Sequence, residues 1–121
     1  MTGFEPRATR RSADAGRSVE VVLLTAPDSE VAARLARVLV GEGLAACVNV
    51  VPGVRSIYRW QGELHDDAEV LLVAKTCADR AEALGARVRE LHPYELPELV
   101  RLPVAGGSQA YLDWVRGECA P

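Results

Sequence analysis

The stretch that decides the fold is VEVVLLTAPD, residues 19–28. Apart from Glu20, residues 19–25 are β-branched or apolar, which is typical of a buried strand. Pro27 then interrupts the strand, and Asp28 has a side chain suited to cap a helix. Apolar residues follow at helical spacing until Gly41: Val31, Leu35, Val38 and Leu39. The chain therefore begins its ordered part with a strand and a helix.

Three more strands are predicted next along the chain, over residues 45–51, 55–61 and 69–76, with the turn dipeptide Pro52-Gly53 between the first two. Asp79 and Glu82 have the spacing of a capping box, which predicts a second helix that ends before Pro93. A short strand over 98–102 and a last helix capped by Ser108 complete the order. This order predicts an α+β fold, a ferredoxin-like βαββαβ sandwich with an extra C-terminal helix.

The domain organisation follows from length and composition. The chain has 121 residues, which suits one domain. Residues 1–18 are polar and contain four arginines against two acidic residues, so they are expected to form a disordered Arg-rich leader. Residues 19–121 are expected to form the folded domain. No apolar run reaches the roughly 20 residues that span a bilayer, so no membrane partner is expected.

The charge balance bears on possible partners. The whole chain has a net charge of −3, and residues 19–121 alone hold 10 basic and 15 acidic residues. Because nucleic-acid binding needs a basic surface, no nucleic-acid partner is expected. The three cysteines contain no CxxC pair, which favours reduced thiols in a cytoplasmic protein.

The two faces of the predicted sheet differ in how the chain can cover them. The strands are apolar on both faces, yet helices of a ferredoxin-like fold cover only one of them. So short a chain has nothing left to cover the other face. A second subunit is therefore expected to cover it, so the sequence predicts an oligomer.

Six segments together resemble the CutA family of divalent-cation tolerance proteins. They are TAPD (25–28), LAACVNVVPG (44–53), SIYRWQG (56–62), EVLLVAKT (69–76), LHPYELPE (91–98) and YLDW (111–114). Each segment is a weak signal, but their order and spacing over residues 19–118 are specific. The resemblance implies a ferredoxin-like protomer in a homotrimer, similar in architecture to the PII signalling proteins. Some family members bind copper through a thiol near the end of the first strand and a pair of histidines before Pro-Tyr. Here Leu24 and Leu91 stand at the thiol and the first histidine, and only His92 remains.

The candidate metal ligands lie within and directly beside the segment between Pro93 and Pro97, which follows the second helix. His92, Glu95 and Glu98 offer an imidazole and two carboxylates, a set that suits a divalent copper or zinc ion. A neighbouring subunit could supply further ligands. The alternative is a helix-terminating loop in which the histidine bonds to carbonyl groups and the acids are solvated. Cys47 is a weaker candidate, since a cysteine inside an apolar run is usually a buried, inert thiol.

A second group of residues suggests a ligand cleft between subunits. Its members are aromatic or charged residues of the predicted strands and the connection between them, of the segment after the second helix, and of the last helix: Tyr58, Trp60, Glu63, Lys75, Tyr94 and Trp114. Lys75 ends an otherwise apolar strand, so a carboxylate partner is expected, with Glu98 and Glu63 as candidates. Indole rings stack well on small molecules. The alternative is an interface core that holds one buried ion pair.

The function predicted from these features is a non-catalytic role in divalent-cation tolerance or metal-ion response, with copper-type metal binding. No nucleophile or phosphate-binding motif of a known enzyme class is present in the sequence, so no enzymatic activity is expected. The alternative is a PII-like signalling module that binds a small molecule or a partner in the intersubunit cleft.

Overall fold

The computed structural model describes residues 17–119, so residues 1–16 of the predicted leader lie outside the described residues. The described part forms seven elements, which are β1 (Val19–Ala26), α1 (Ser29–Gly41), β2 (Cys47–Trp60), β3 (Glu63–Cys77), α2 (Ala78–Leu91), β4 (Val100–Pro103) and α3 (Gln109–Glu118). None of the helices described is both long and apolar enough to cross a membrane.

The four strands form one sheet in the order β2-β3-β1-β4, and every neighbouring pair is antiparallel. The two central strands, β1 and β3, pair along their full shared length, from Val19 opposite Cys77 to Ala26 opposite Val70. This order and the helices between the strands confirm the predicted ferredoxin-like sandwich with an additional C-terminal helix.

The main core lies between one face of the sheet and the helices α1 and α2. Because side chains alternate across a strand, every second residue of β1 and β3 points to this core. Its largest fully buried side chains come from both strands and both helices: Val22, Leu24, Leu72, Leu35, Leu39, Leu84 and Val88. Burial of such side chains is the dominant favourable contribution to folding.

The opposite face of the sheet is covered at one end by α3. A second buried cluster forms there from β1, β3 and α3, and it contains Val19, Cys77, Val115 and Cys119. The expectation that the chain cannot cover any of this face is therefore wrong for this end. The reason is that the last helix, which carries Val115 and Leu112, packs across the sheet instead of joining the other two helices.

The remainder of this second face is largely apolar, and most of it is only partly buried. Residues directly opposite each other in antiparallel strands point to the same face, so the register defines its rows. One row runs Leu102, Val21, Lys75 and Cys47, the next Val100, Leu23, Val73 and Asn49, and a third Thr25, Leu71 and Val51. We call these three rows the open face. Val51, Val100 and Leu102 are 40%, 44% and 43% exposed.

The β2 strand differs from the prediction. Two strands are expected on either side of Pro52-Gly53, but the structure has one strand over Cys47–Trp60 with a bulge between Val51 and Val54. Gly53 has a φ of +82°, a conformation open to glycine, and this lets the strand absorb extra residues without ending. The resulting β2–β3 hairpin is long and closes at Gln61 and Gly62.

Two of the three capping residues predicted for the helix N-termini are confirmed. The Asp28 carboxylate accepts a 2.9 Å bond from the Val31 amide, and Ser108 caps α3 through the Tyr111 amide, both as predicted. The capping role of Asp79 is wrong, because α2 begins at Ala78 and has Cys77 at its N-cap. The Asp79 carboxylate instead pairs with Arg17, 2.9 Å away.

The packing of α1 predicts that substitutions on its two sides differ in their effect on the free energy of unfolding. Leu35→Ala should lower the free energy of unfolding by about 2–5 kcal/mol, because Leu35 is fully buried and its truncation leaves a cavity. Val40→Ala on the same helix, where Val40 is 43% exposed, should change it by less than about 1 kcal/mol. Urea denaturation followed by circular dichroism measures both, and equal losses would contradict this placement of the core.

Candidate functional site

A groove of about 920 Å³ lies where the 92–99 segment folds against the β2–β3 hairpin. We call it the acidic groove. Its floor includes Thr25 of β1 and Glu69 of β3, and Val100 of β4 lies at its edge, so the groove adjoins the open face. Its other lining residues come from the hairpin and from the 92–99 segment: Ser56, Ile57, Tyr58, Trp60, Asp67, Pro93, Tyr94, Glu95, Leu96, Pro97, Glu98 and Leu99.

The charge of this groove is one-sided. Four carboxylates line it, those of Asp67, Glu69, Glu95 and Glu98, and the described lining residues include no lysine, arginine or histidine. Carboxylate oxygens suit hard and borderline cations, and acids packed against low-dielectric walls attract positive charge. The groove is therefore built to favour a cation.

Two tyrosines hold two of the carboxylates in place. The Tyr94 hydroxyl donates to Glu69 Oε2 at 2.8 Å, and the Tyr58 hydroxyl donates to Asp67 Oδ2 at 2.6 Å. The Tyr58 ring also stacks on His65 across the hairpin, with ring centroids 5.1 Å apart. Glu69 is only 9% exposed, so its hydrogen bond also satisfies a nearly buried carboxylate.

The neighbourhood of these acids changes the proton affinity of nearby groups. Burial and the neighbouring Glu69 carboxylate raise the pKa of Glu98 above its usual 4.5. Burial and the bond to Glu69 raise the pKa of Tyr94, and the bond to Asp67 raises that of Tyr58. These shifts have two physical causes: a hydrogen bond donated to a carboxylate favours the protonated tyrosine, and like charges and low solvent access disfavour a further negative charge.

His92 lies beneath the groove and does not line it. The residue is 7% exposed, its Nε2 donates to the Thr25 carbonyl at 2.7 Å, and its Nδ1 accepts the Tyr94 amide at 3.1 Å. These two bonds define the neutral tautomer with the proton on Nε2. The imidazole therefore joins the 92–99 segment to the end of β1. This agrees with the alternative to a metal ligand given by the sequence, in which the histidine bonds to carbonyl groups.

The predicted ligands His92, Glu95 and Glu98 are not brought together around one point. Glu95 and Glu98 reach the acidic groove, whereas both nitrogens of His92 are engaged elsewhere. Within residues 17–119, no three His, Cys, Asp or Glu side chains are grouped closely enough to hold a metal ion. A complete metal site in one protomer is absent from this part of the chain, and a further ligand would have to come from outside it.

The predicted cleft residues are divided among different places. Tyr58, Trp60 and Tyr94 line the acidic groove, but Glu63, Lys75 and Trp114 do not. Glu63 lies opposite Trp60 at the closed end of the hairpin, and Trp114 packs on Tyr111 within α3 at a centroid distance of 5.5 Å.

The expected ion pair of Lys75 with Glu98 or Glu63 is not formed. On the open face the Lys75 ammonium bonds to Asn49 Oδ1 and lies 3.9 Å from Cys47 Sγ. The reason is the register, which sets Cys47 directly opposite Lys75 and places Asn49 two residues further along β2 on the same face. Cys47 is partly exposed beside this ammonium and is not a fully buried thiol.

Sequence reasoning missed two of the groove carboxylates, Asp67 and Glu69. Asp67 lies before the strand predicted over residues 69–76, although the hairpin strand β3 already begins at Glu63. Glu69 is the one acidic residue at the start of an apolar run, and an acid in that position is itself a signal of a polar partner across the fold.

The family of this chain follows from comparison with known proteins. The sequence profile described as "CutA1 divalent ion tolerance protein" matches residues 20–118. The divalent-cation tolerance protein CutA of Thermus thermophilus is 57% identical over 97 residues, which cover 80% of this chain and 94% of that relative. The human Protein CutA is 41% identical over 120 residues, covering 95% of this chain and 67% of that relative. The chain spans only 54% of the chloroplastic CutA 1 of rice.

Solved structures agree with this match over most of the chain. The Thermus thermophilus divalent cation tolerance protein superposes with a TM-score of 0.82 at 54% identity, covering 84% of this chain and 99% of that one. CutA of Xylella fastidiosa gives 0.83 at 42% identity, with coverages of 85% and 99%. The Archaeoglobus fulgidus protein, described as a periplasmic divalent cation tolerance protein, gives 0.81 at 29%, with coverages of 84% and 99%. The chain therefore belongs to the CutA1 family of divalent ion tolerance proteins.

Proposed function

We propose that this protein acts in divalent-cation tolerance as a non-catalytic homotrimer that binds a divalent metal ion, of the copper or zinc type, at the acidic groove. The single observation that carries the proposal is the charge of the groove, where Asp67, Glu69, Glu95 and Glu98 meet no basic side chain among the described lining residues. The names of the relatives, which refer to divalent-cation tolerance, agree with this chemistry.

The trimer is supported by the open face. Its apolar side chains come from all four strands, and those of Val51, Val100 and Leu102 remain about 40% exposed in one protomer. Contiguous apolar surface of this kind marks a protein interface. Since Thr25, Glu69 and Val100 belong to the groove and lie on this side of the sheet, a second copy packed there would reach the groove and could supply the missing ligand.

The groove lining also supports a non-catalytic role. Carboxylates and tyrosines are present, but Glu69 and Asp67 are already bonded to tyrosines and no nucleophile is paired with a base in the described lining. We therefore assign the groove to binding and not to catalysis. A cytoplasmic location suits the three cysteines, which are all free thiols.

A second candidate function rests on the aromatic residues of the groove. Tyr58, Trp60 and Tyr94 line it, and its volume falls in the range of small-molecule pockets, about 300–1,000 Å³. Aromatic faces beside carboxylates favour a small organic cation. This would make the protein a PII-like module that binds its ligand between subunits.

Calorimetric titration of the full chain with Cu²⁺, Zn²⁺ and Mn²⁺ tests the proposed site. The double variant Glu95→Gln and Glu98→Gln should weaken binding at least about tenfold, because two ligand charges are lost while side-chain size is kept. Glu30→Gln on α1 is the matched control, since this exposed acid does not line the groove, and its affinity should be unchanged.

Equal affinities of the double variant and the wild type would contradict the proposed groove site. A response to organic cations such as polyamines, lost in Trp60→Ala and accompanied by no response to metal ions, would assign the groove to the second candidate function. Removal of metal ions by dialysis against a chelator precedes both titrations, so that bound ions do not mask the site.

The acidity of the groove is testable without any cation. Because the pKa of Glu98 is raised in the folded state, the folded protein holds the Glu98 proton more tightly than the unfolded chain does. The stability that this proton contributes is present below the ordinary pKa of 4.5 and is lost as the pH rises through the folded pKa. Glu98→Gln should therefore raise the midpoint temperature of thermal unfolding at neutral pH. This gain should vanish below pH 4.5, the ordinary pKa of the carboxyl group. A gain that is equal at both pH values would contradict the assigned cause.

The open face predicts the oligomeric state. Leu23→Glu places a charge in the middle row and should convert a trimer into smaller species in sedimentation velocity, because burying an unpaired carboxylate is costly. Val40→Glu introduces the same charge on the outer side of α1 and should leave the trimer intact. A wild-type protein that sediments as a folded single chain would refute the interface.

A further inference from the structure

A buried glycine lies in the middle of α2. Gly85 belongs to the helix Ala78–Leu91 and is one of its buried residues. Glycine is a poor helix former and alanine is the best one, so a helical glycine weakens the helix unless something else requires it. Gly85 does not have the positive φ that explains a glycine such as Gly53. The requirement therefore comes from a neighbouring group and not from the backbone conformation.

The neighbouring group is the side chain of Leu99. A Cβ atom at position 85 would lie 3.0 Å from Leu99 Cδ2, whereas carbon atoms pack at about 3.5–4.0 Å. The second nearest side-chain atom, Arg89 Nη1, would lie at an ordinary contact distance of 3.6 Å. Leu99 is therefore seated against α2 at the one point where a methyl group would displace it, by about 0.5 Å.

The surroundings of Leu99 decide where such a displacement goes. Leu99 packs against the main core, and the next residue, Val100, begins β4 and is paired with Leu23 of β1. Because a close-packed core and a paired strand yield little, the chain has room to move only on the other side of Leu99. That side begins with Glu98, and both Glu98 and Leu99 line the acidic groove.

The 92–99 segment is thus fixed at both ends. At its start, the His92 ring bonds to the Thr25 carbonyl and to the Tyr94 amide. At its end, the contact of Leu99 with Gly85 sets the distance of the segment from α2. Binding groups have to be held to within about 0.5 Å of their productive positions, which is the size of the displacement that a methyl group at position 85 would cause.

We propose that Gly85 is a positioning residue for the acidic groove, because the seat that it offers to Leu99 sets where Glu95 and Glu98 stand for a bound cation. Gly85 itself does not line the groove and acts only through Leu99. The proposal rests on the cation-binding function proposed for the groove, so its test includes a measurement made without any metal ion.

Hydrogen exchange of the metal-free full chain, read by mass spectrometry, tests the seat. Gly85→Ala should speed the exchange of the backbone amides of residues 94–99 about fivefold or more, because the end of the segment is no longer held. Titration of the same variant with Zn²⁺ should show an affinity weakened about tenfold. Gly117→Ala in α3 is the matched control, since a Cβ atom there would meet nothing within 4 Å, and both readouts should equal those of the wild type.

Truncation of Leu99 separates this contact from a general loss of stability. Leu99→Ala alone should loosen the same amides, and Gly85→Ala added to it should change neither exchange nor zinc affinity further, because the atom that the new methyl group would meet is gone. Wild-type exchange in Gly85→Ala would overturn the proposal. An undiminished effect of Gly85→Ala in the Leu99→Ala background would overturn it as well.

The zinc titration distinguishes this proposal from the function on which it rests. If the wild type binds Zn²⁺ and Gly85→Ala binds it equally well, the positioning role is refuted and the groove function stands. If Gly85→Ala exchanges faster but the wild type binds no Zn²⁺, the seat of the segment on α2 is supported and the groove function is refuted.

Discussion

The structure depends on the pairing of β1 with β3 in the middle of the sheet. Over their paired length both strands are largely apolar on both faces, and the chain covers one face with α1 and α2. On the other face α3 covers only one end, at Val19 and Cys77. The open face that remains is the reason to expect further copies of the chain, and the acidic groove lies beside it.

The groove itself depends on how polar groups are satisfied around the 92–99 segment. His92 bonds to the Thr25 carbonyl and the Tyr94 amide, and the Tyr94 hydroxyl bonds to Glu69. This chain of bonds joins the segment to β1 and β3, so the segment is fixed where it can present Glu95 and Glu98. Residues that satisfy one another in this way hold the groove in shape, and Glu95 and Glu98 remain in its lining.

The fold was predictable because its signals are local, whereas the site needed long-range information. The periodicity of residues 31–39 and the cap at Asp28 need only neighbouring residues, and both are confirmed. The role of His92 depends on Thr25, which is 67 positions away, and that of Lys75 on the β2 register. The start of β3 was not predicted, because residues 63–67 are mostly charged. This part of the strand extends into solvent, where an alternation of apolar and polar residues is not required.

The central claim is that the open face is covered by copies of the chain and that the groove beside it holds divalent cations. Native mass spectrometry of the purified full chain, recorded before and after addition of Zn²⁺, tests both parts at once. We predict an assembly of three chains that gains bound zinc, with less gain after Glu95→Gln and Glu98→Gln. A folded single chain, or a trimer that gains no zinc at all, would contradict the account.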